Sequence, residues 1–241
     1  MISKYRTQGF VFKKDTRAES DQTFAVFTKD FGRLELRAKA IKKITSKLRK
    51  DFDIFYFSEI EFIQGRSYKT LTDANKIKKI NAGENLNKLS VLCRISDVLD
   101  MFIKGQEKDD ATFDLLVEFL GKLGDASELL KNHQLVFYYF FWNFISLQGY
   151  KIEVDNCAGC RSKLNPENLY FSSKMGGIIC SKCLSADSGA KKINSDIVKI
   201  LRIIFKKDWD IISKLKVEPY SQNLMEDISQ NAIRAFCPEH C

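Results

Sequence analysis

Four cysteines carry the sharpest chemical pattern in the chain. "CAGC" (Cys157–Cys160) and "CSKC" (Cys180–Cys183) stand nineteen residues apart, the spacing of a four-cysteine zinc site. Each Cys-x-x-Cys turn aims two thiolates at one point. The intervening residues read as a hairpin, with "LYFS", a turn through Lys174–Gly177, and "GIIC". A segment this short cannot bury a core of its own, so metal would supply much of its folding free energy. Two disulfides or four free thiols would use the same residues. The odd total of seven cysteines and the lack of a secretory signal favour reduced thiols. A catalytic zinc would need an open coordination position and a nearby acid or base, whereas four sulfurs close the site. The deaminase pattern of His-x-Glu with Pro-Cys-x-x-Cys is absent, and the two histidines are His133 and His240. The expectation is one structural zinc held by Cys157, Cys160, Cys180 and Cys183. "CPEHC" (Cys237–Cys241) offers three further ligands on a tail and reads as a frayed end. Cys93 falls on a helical stripe and reads as core.

A second pattern is electrostatic. "RAKAIKKITSKLRK" (Arg37–Lys50) carries Arg37, Lys39, Lys42, Lys43, Lys47, Arg49 and Lys50 without one acid. Residues 1–50 hold fourteen Lys/Arg and five Asp/Glu, a net +9 that exceeds the +8 of the whole chain. The remaining 191 residues therefore net −1. An excess confined to one-fifth of the chain is the footprint of a polyanion-binding surface. Lys13, Lys14 and Arg17 are placed in a turn between two strands, where with Arg33 and the Arg37–Lys50 run they could line a phosphate-tracking groove. An isolated charged loop would look similar. The strand-rich setting and the aromatics around it (Phe10, Phe12, Phe24, Phe27, Phe31, Tyr56, Phe57) favour nucleic acid, bound through phosphates without sequence preference and with strong salt dependence.

The elements that must position these groups fall into two regions. "GRLELRA" (Gly32–Ala38) alternates Leu34, Leu36 and Ala38 against Arg33, Glu35 and Arg37, the pattern of a half-buried strand. "TFAVFT" and "FDIFYFSEIEFI" are rich in aromatic and branched residues, with Gly9, Gly32 and Gly65 beside the runs. About eighty such residues suit a five-stranded OB-type barrel, a common carrier of nucleic acid. From about residue 85 the period turns helical. One stripe is Leu89, Leu92, Ile95, Leu99 and Phe102, and a second is Phe113, Leu116, Leu120 and Leu123. Leu129–Leu147 is apolar nearly all round and suits the centre of a bundle. A helix capped by Asn194 or Ser195 follows the cysteine segment, and a last one falls within Gln222–Phe236. The fold class expected is multi-domain α+β: an OB-type DNA-binding domain over residues 1–80, then a helical domain over 81–241 with a zinc-binding insertion at 157–183.

Composition is that of an ordinary globular protein, 44% hydrophobic and 29% charged. The longest apolar run, Leu135–Leu147, is too short to span a bilayer and contains Asn143. A cytosolic location is expected. No Walker A loop, G-x-G-x-x-G, His-Glu-x-x-His or G-x-S-x-G occurs, so a binding protein is expected rather than an enzyme.

The order of these features, with local strings, resembles the RecO family of bacterial recombination-mediator and DNA-repair proteins. "DTRAESDQTFAVFTKDFGRL" is similar to its N-terminal stretch: Glu19 and Asp21 fall on the acids of an acidic turn, and Phe27, Thr28, Phe31, Gly32 and Leu34 on "FT-x-x-FG-x-L". "AKAIKKITSKL" resembles its basic stretch, with Lys39, Lys42, Lys43 and Lys47 on basic positions and Ser46 on its serine. Ala40 stands where the family usually has glycine, and Ile44 and Thr45 where it has proline and lysine. "GRSYKTLTDA" resembles the segment that closes the family's barrel, and "CAGC" and "GGIICSKC" its zinc knuckles. The resemblance implies a non-enzymatic recombination mediator of the bacterial cytoplasm, associated with the nucleoid. Such a protein binds single- and double-stranded DNA, anneals complementary strands and acts with RecR to help RecA displace single-strand binding protein, whose acidic C-terminal tail it contacts. A rival reading is a zinc-ribbon adaptor acting through protein–protein contacts, for example in transcription, in which Arg161, Lys163 and Lys182 would matter most.

Overall fold

The computed structural model describes residues 3–17, 19–80, 85–125 and 133–237. By packing, the chain divides into two compact units, Met1–Ser127 and Glu128–Cys241.

The first unit is built on five strands, β1 (Lys4–Thr16), β2 (Gln22–Thr28), β3 (Gly32–Ala38), β4 (Tyr56–Gln64) and β5 (Lys69–Lys79), closed into a barrel in the order β1-β2-β3-β5-β4. Every pairing is antiparallel except the short parallel contact of β3 with β5, where Leu36 faces Lys69 and Arg37 faces Thr70. Closure leaves no free strand edge. The alternation read in Gly32–Ala38 sets the inside of the barrel: Leu34, Leu36 and Ala38 are fully buried with Val11, Phe24, Val26, Ile60, Phe62 and Leu71. Lys13 and Lys14 lie within β1, not in the turn expected for them. A bulge between Val11 and Lys13 absorbs the break in alternation, and pairing continues through Lys13 with Ala25 and Lys14 with Phe24. Only Arg17 lies beyond the strand end.

Two helices belong to the same unit, α1 (Leu86–Phe102) and α2 (Asp110–Asp125). Asn85 caps α1 by accepting from the Lys88 amide at 3.1 Å. The buried stripe of α1 is Val91, Leu92, Ile95, Val98 and Leu99. Cys93 lies off that stripe and is exposed, contrary to the core position expected for it. Phe113 of α2 meets the rings of Phe27 and Phe57 on the barrel. The barrel is therefore buried on both faces of β2, which is why Phe10, Phe12 and Phe27 are buried without belonging to its interior cluster.

The second unit centres on α3 (His133–Leu147), buried continuously from Leu135 to Ile145. The expected start at residue 129 lies outside the described residues. Asn143, the one amide in that run, donates Nδ2 to the carbonyls of Tyr139 and Ile204 and so sits inside at little cost. Around α3 pack α4 (Ser195–Phe205), α5 (Trp209–Lys214) and α6 (Pro219–Phe236). Asn194 caps α4 as expected, and Pro219 opens α6 at its first position, three residues before the expected start. Between α3 and α4 the chain forms a three-stranded sheet in the order β7-β6-β8, from β6 (Leu169–Ser172), β7 (Gly177–Cys180) and β8 (Lys191–Ile193). No helix among the described residues is long and apolar enough to cross a membrane.

Candidate nucleic-acid interface and metal centre

The Arg37–Lys50 segment leaves β3 and ends in a 3-10 turn at Lys47–Lys50. It is pinned by its apolar residues. Ile41 and Phe52 are 2% and 1% exposed and join the barrel interior, with Leu48 packed against them. The Phe52 ring meets Phe24 edge-on at 4.9 Å between centroids. With Ile41, Leu48 and Phe52 turned inward, Lys42, Lys43, Lys47, Arg49 and Lys50 are left outward and exposed. The start of the loop is held by Asp21. Its carboxylate accepts the Ala40 amide at 2.9 Å and the Arg37 guanidinium at 2.8 Å. The Ala40 amide, then Arg37, hold the Asp21 carboxyl below the usual carboxylate range. Ala40 itself has φ +53°, in the left-handed region where a side chain is disfavoured.

The candidate cations divide into three sets. Lys13 and Arg33 turn to α1, where both bind Asp100, at 2.7 and 2.8 Å. Arg33 is 13% exposed, also donates to the carbonyls of Asp100 and Ile103, and lies over the Phe12 ring. Burial raises the Asp100 carboxyl, but Lys13 and Arg33 outweigh it and hold the group low. These two cations fasten helix to barrel. Lys14 pairs with Asp53 at 2.7 Å and Arg37 with Asp21. Arg17, Lys39, Lys42, Lys43, Lys47 and Arg49 have no ion pair among the described residues. Tyr56, one of the aromatics named from sequence, extends this surface together with Lys76 and Lys79, which the sequence reading missed: the Lys76 ammonium bonds the Lys50 carbonyl at 3.2 Å, and both ammonium groups lie within 6 Å of the Tyr56 ring. The "NKIKK" string was the available signal.

In the second unit the four cysteines converge. Their sulfurs all lie within 4.8 Å of one another, the one such metal-capable cluster found among the described residues. A tetrahedral site with metal–sulfur bonds of about 2.3 Å places its sulfurs about 3.8 Å apart, and Cys160 and Cys180 stand 3.7 Å apart. Cys180 lies at the end of β7, so the hairpin sets one pair of ligands, and the turn Cys157–Cys160 brings the other. Gly159 makes that turn possible: a Cβ there would lie 2.8 Å from the Cys183 sulfur. Two of the four thiols, Cys157 and Cys160, are held toward thiolate. The Cys180 amide points at the Cys157 sulfur at 3.3 Å. The Ser162 hydroxyl and amide pull Cys160 down to about 6, while crowding by Cys160, burial and Cys157 pushes Cys183 up to about 12. A cation among the four sulfurs would relieve that crowding. The residues fit a metal ion, and no fifth His, Cys, Asp or Glu among the described residues joins the cluster. Cys237 stands apart from it, and His240 and Cys241 lie outside the described residues.

The family model described as "Recombination protein O N terminal" matches residues 1–80, and "Recombination protein O C terminal" matches residues 83–236. The chain belongs to the RecO family. Proteins named DNA repair protein RecO are similar along most of the chain. That of Dehalococcoides mccartyi is 28% identical over 88% of this chain and 83% of its own. That of Alkaliphilus metalliredigens is 27% identical over 95% and 92%, and that of a Thermoanaerobacter species 26% identical over 98% and 92%. The family's N-terminal match ends within two residues of the barrel's last strand, and its C-terminal match contains the whole four-cysteine hairpin.

Proposed function

We propose that the chain is a non-enzymatic recombination mediator of the bacterial cytoplasm, acting at the nucleoid. It binds single- and double-stranded DNA without sequence preference, anneals complementary strands, and with RecR helps load RecA onto DNA covered by single-strand binding protein, whose acidic C-terminal tail it contacts. Residues 1–80 bind DNA and residues 81–241 dock partners. Cys157, Cys160, Cys180 and Cys183 hold one structural zinc, the metal best suited to four thiolates in a tetrahedron, which fixes the inserted hairpin at 157–183.

The observation that carries this reading is the outward row of uncompensated cations on a segment whose apolar residues are locked into the barrel. A loop pinned at Ile41 and Phe52 presents Lys39, Lys42, Lys43, Lys47 and Arg49 in a fixed arrangement, with Arg17 beyond the end of β1 and Lys14 and Arg37 in looser reach. A backbone already pinned loses little further freedom when its side chains meet a phosphate backbone. The test is DNA affinity against salt. Six phosphate contacts on a single strand give a log–log slope of roughly −4. Lys42→Glu/Lys43→Glu should flatten that slope by at least about 1.4 and weaken binding for every sequence alike. An unchanged slope in this variant would move the interface elsewhere.

A further inference from the structure

The β4–β5 turn builds a cavity that the basic loop alone does not explain. It has a volume of 570 Å³ and is walled by Arg17, Arg37, Arg66, Tyr68 and Lys69, with Gln64 beside them. The turn is a two-residue hairpin loop, Arg66–Ser67, closed by the Gly65 amide donating to the Tyr68 carbonyl at 3.0 Å. A Cβ on Gly65 would lie 2.7 Å from that carbonyl oxygen, so glycine permits the closure. Arg17, Arg66 and Lys69 have no ion pair among the described residues. Glu35, the one acid on the wall, is already held by Arg33 at 2.8 Å. Tyr68 is 43% exposed. The Arg37 guanidinium lies 5.1 Å from its ring centroid and the Lys39 ammonium 5.8 Å, so the ring is braced by the first residues of the basic segment.

Resting on the DNA-binding reading above, we infer that this cavity is a single-strand nucleotide subsite, with Tyr68 the platform for one unstacked base and Arg66, Lys69 and Arg17 the holders of its flanking phosphates. The chemistry follows from the wall. Three unpaired cations call for a ligand with more than one negative charge, and an exposed aromatic ring among them calls for a flat π-face. A nucleotide within a single strand offers both, whereas a paired base in a duplex keeps its faces stacked. The rest of the basic surface tracks phosphates and does not separate the two forms of DNA. Tyr68 does.

The experiment measures binding of the full-length protein to three probes of equal length: a single-stranded oligonucleotide, the same strand with abasic sites, and the duplex. Tyr68→Ala should weaken single-strand binding about tenfold, from the typical worth of one stacked base. It should leave the abasic and duplex probes within about twofold, and Tyr68→Phe should restore wild-type affinity. Arg66→Ala should reduce the single-strand salt slope by about 0.7. Equal losses on all three probes with Tyr68→Ala would overturn the stacking role. No loss with Tyr68→Ala and no slope change with Arg66→Ala would overturn the subsite, while Lys42→Glu/Lys43→Glu still weakening binding would leave the DNA-binding reading standing. Wild-type protein with no salt-dependent DNA binding would overturn both. Both side chains are exposed, so folding, checked by thermal melting, is not at stake.

Discussion

The four-cysteine hairpin and the basic barrel segment hold their key groups in place by opposite means. In the hairpin the functional atoms are themselves the fastening. Cys157, Cys160, Cys180 and Cys183 meet within 4.8 Å, and a cation shared by the four sulfurs would join the two turns more firmly than the few backbone bonds between them, such as the Ala158 amide to the Ile178 carbonyl at 2.7 Å. In the basic segment the functional atoms are bystanders to the fastening. The lysines face solvent while Ile41, Leu48 and Phe52 anchor the chain in the barrel, and Asp21 holds its first turn. The lesson is that a metal centre couples its chemistry to its stability, whereas a phosphate-binding loop can keep the two apart. Substitution at the cysteines should therefore cost fold, and substitution at the lysines should cost binding alone.

The largest effect that could break this comparison is loss of the metal. Structural zinc in small modules contributes on the order of 10–16 kcal/mol of apparent binding free energy that is also folding free energy. Cys157→Ser or Cys180→Ser should release the metal, lower soluble yield and lower the melting temperature, read by metal content and calorimetry on the purified protein. The first unit, residues 1–127, should keep its melting transition. Loss of DNA binding in a Cys157→Ser protein of unchanged stability would show that the cysteines act on DNA directly and that the contrast is false.

Next in size is Phe52→Ala. The ring is 1% exposed and packs on Phe24, so truncation should cost about 3–5 kcal/mol. The sharper expectation is that binding suffers too, because the cations between Ile41 and Phe52 lose their fixed arrangement. Urea unfolding gives the first quantity and DNA titration the second. A destabilised protein with full DNA affinity would mean that the loop binds as a flexible chain.

These anchors also mark where the sequence was readable. The cysteine spacing is short-range and its geometric requirement is strict, so Cys157–Cys183 could be assigned to one site before any fold was known. The alternation of Leu34, Leu36 and Ala38 and the helical stripe of Phe113, Leu116, Leu120 and Leu123 were likewise visible, because period reports the buried face directly. The basic run was visible as charge but not as structure. Ile41 and Phe52 look like incidental apolar residues in a charged loop until the barrel mouth is there to receive them. Lys13 was read into a turn because a bulge hides the continuation of β1, and Arg33 was counted among free cations because its partner, Asp100, lies 67 residues away on α1. Arg66 and Tyr68 were legible only as part of "GRSYKTLTDA", the string that resembles the family's barrel-closing segment. What tertiary contact decides, local pattern could not disclose.

A smaller effect concerns Asp21. Its folded carboxyl lies below the ordinary range, so its contribution is complete above about pH 4 and fades as pH falls through the lowered folded value. Protection of the Ala40 amide from hydrogen exchange should be constant between pH 5 and 8 and decline only in stronger acid. Asp21→Ala should remove that protection at pH 7 and leave the barrel amides of β1 and β4 unaffected. Protection that instead declined between pH 7 and 5 would point to a different anchor for the loop.

The smallest effect is the most specific to this chain. Ala40 occupies φ +53°, a conformation that costs a side-chain-bearing residue about 1–2 kcal/mol and that glycine adopts freely. Ala40→Gly should relieve the backbone, less the roughly 0.5–1 kcal/mol that glycine's extra freedom in the unfolded chain takes back. The net gain is up to about 1 kcal/mol, a rise of a few degrees in the first unit's melting temperature. DNA affinity should not move, because the Ala40 amide still donates to Asp21 and Ile41 still fills the barrel. A gain in stability without a change in binding would separate fastening from function at a single Cβ, whereas weaker binding would mean that this chain uses the strained turn itself to aim Lys39, Lys42 and Lys43.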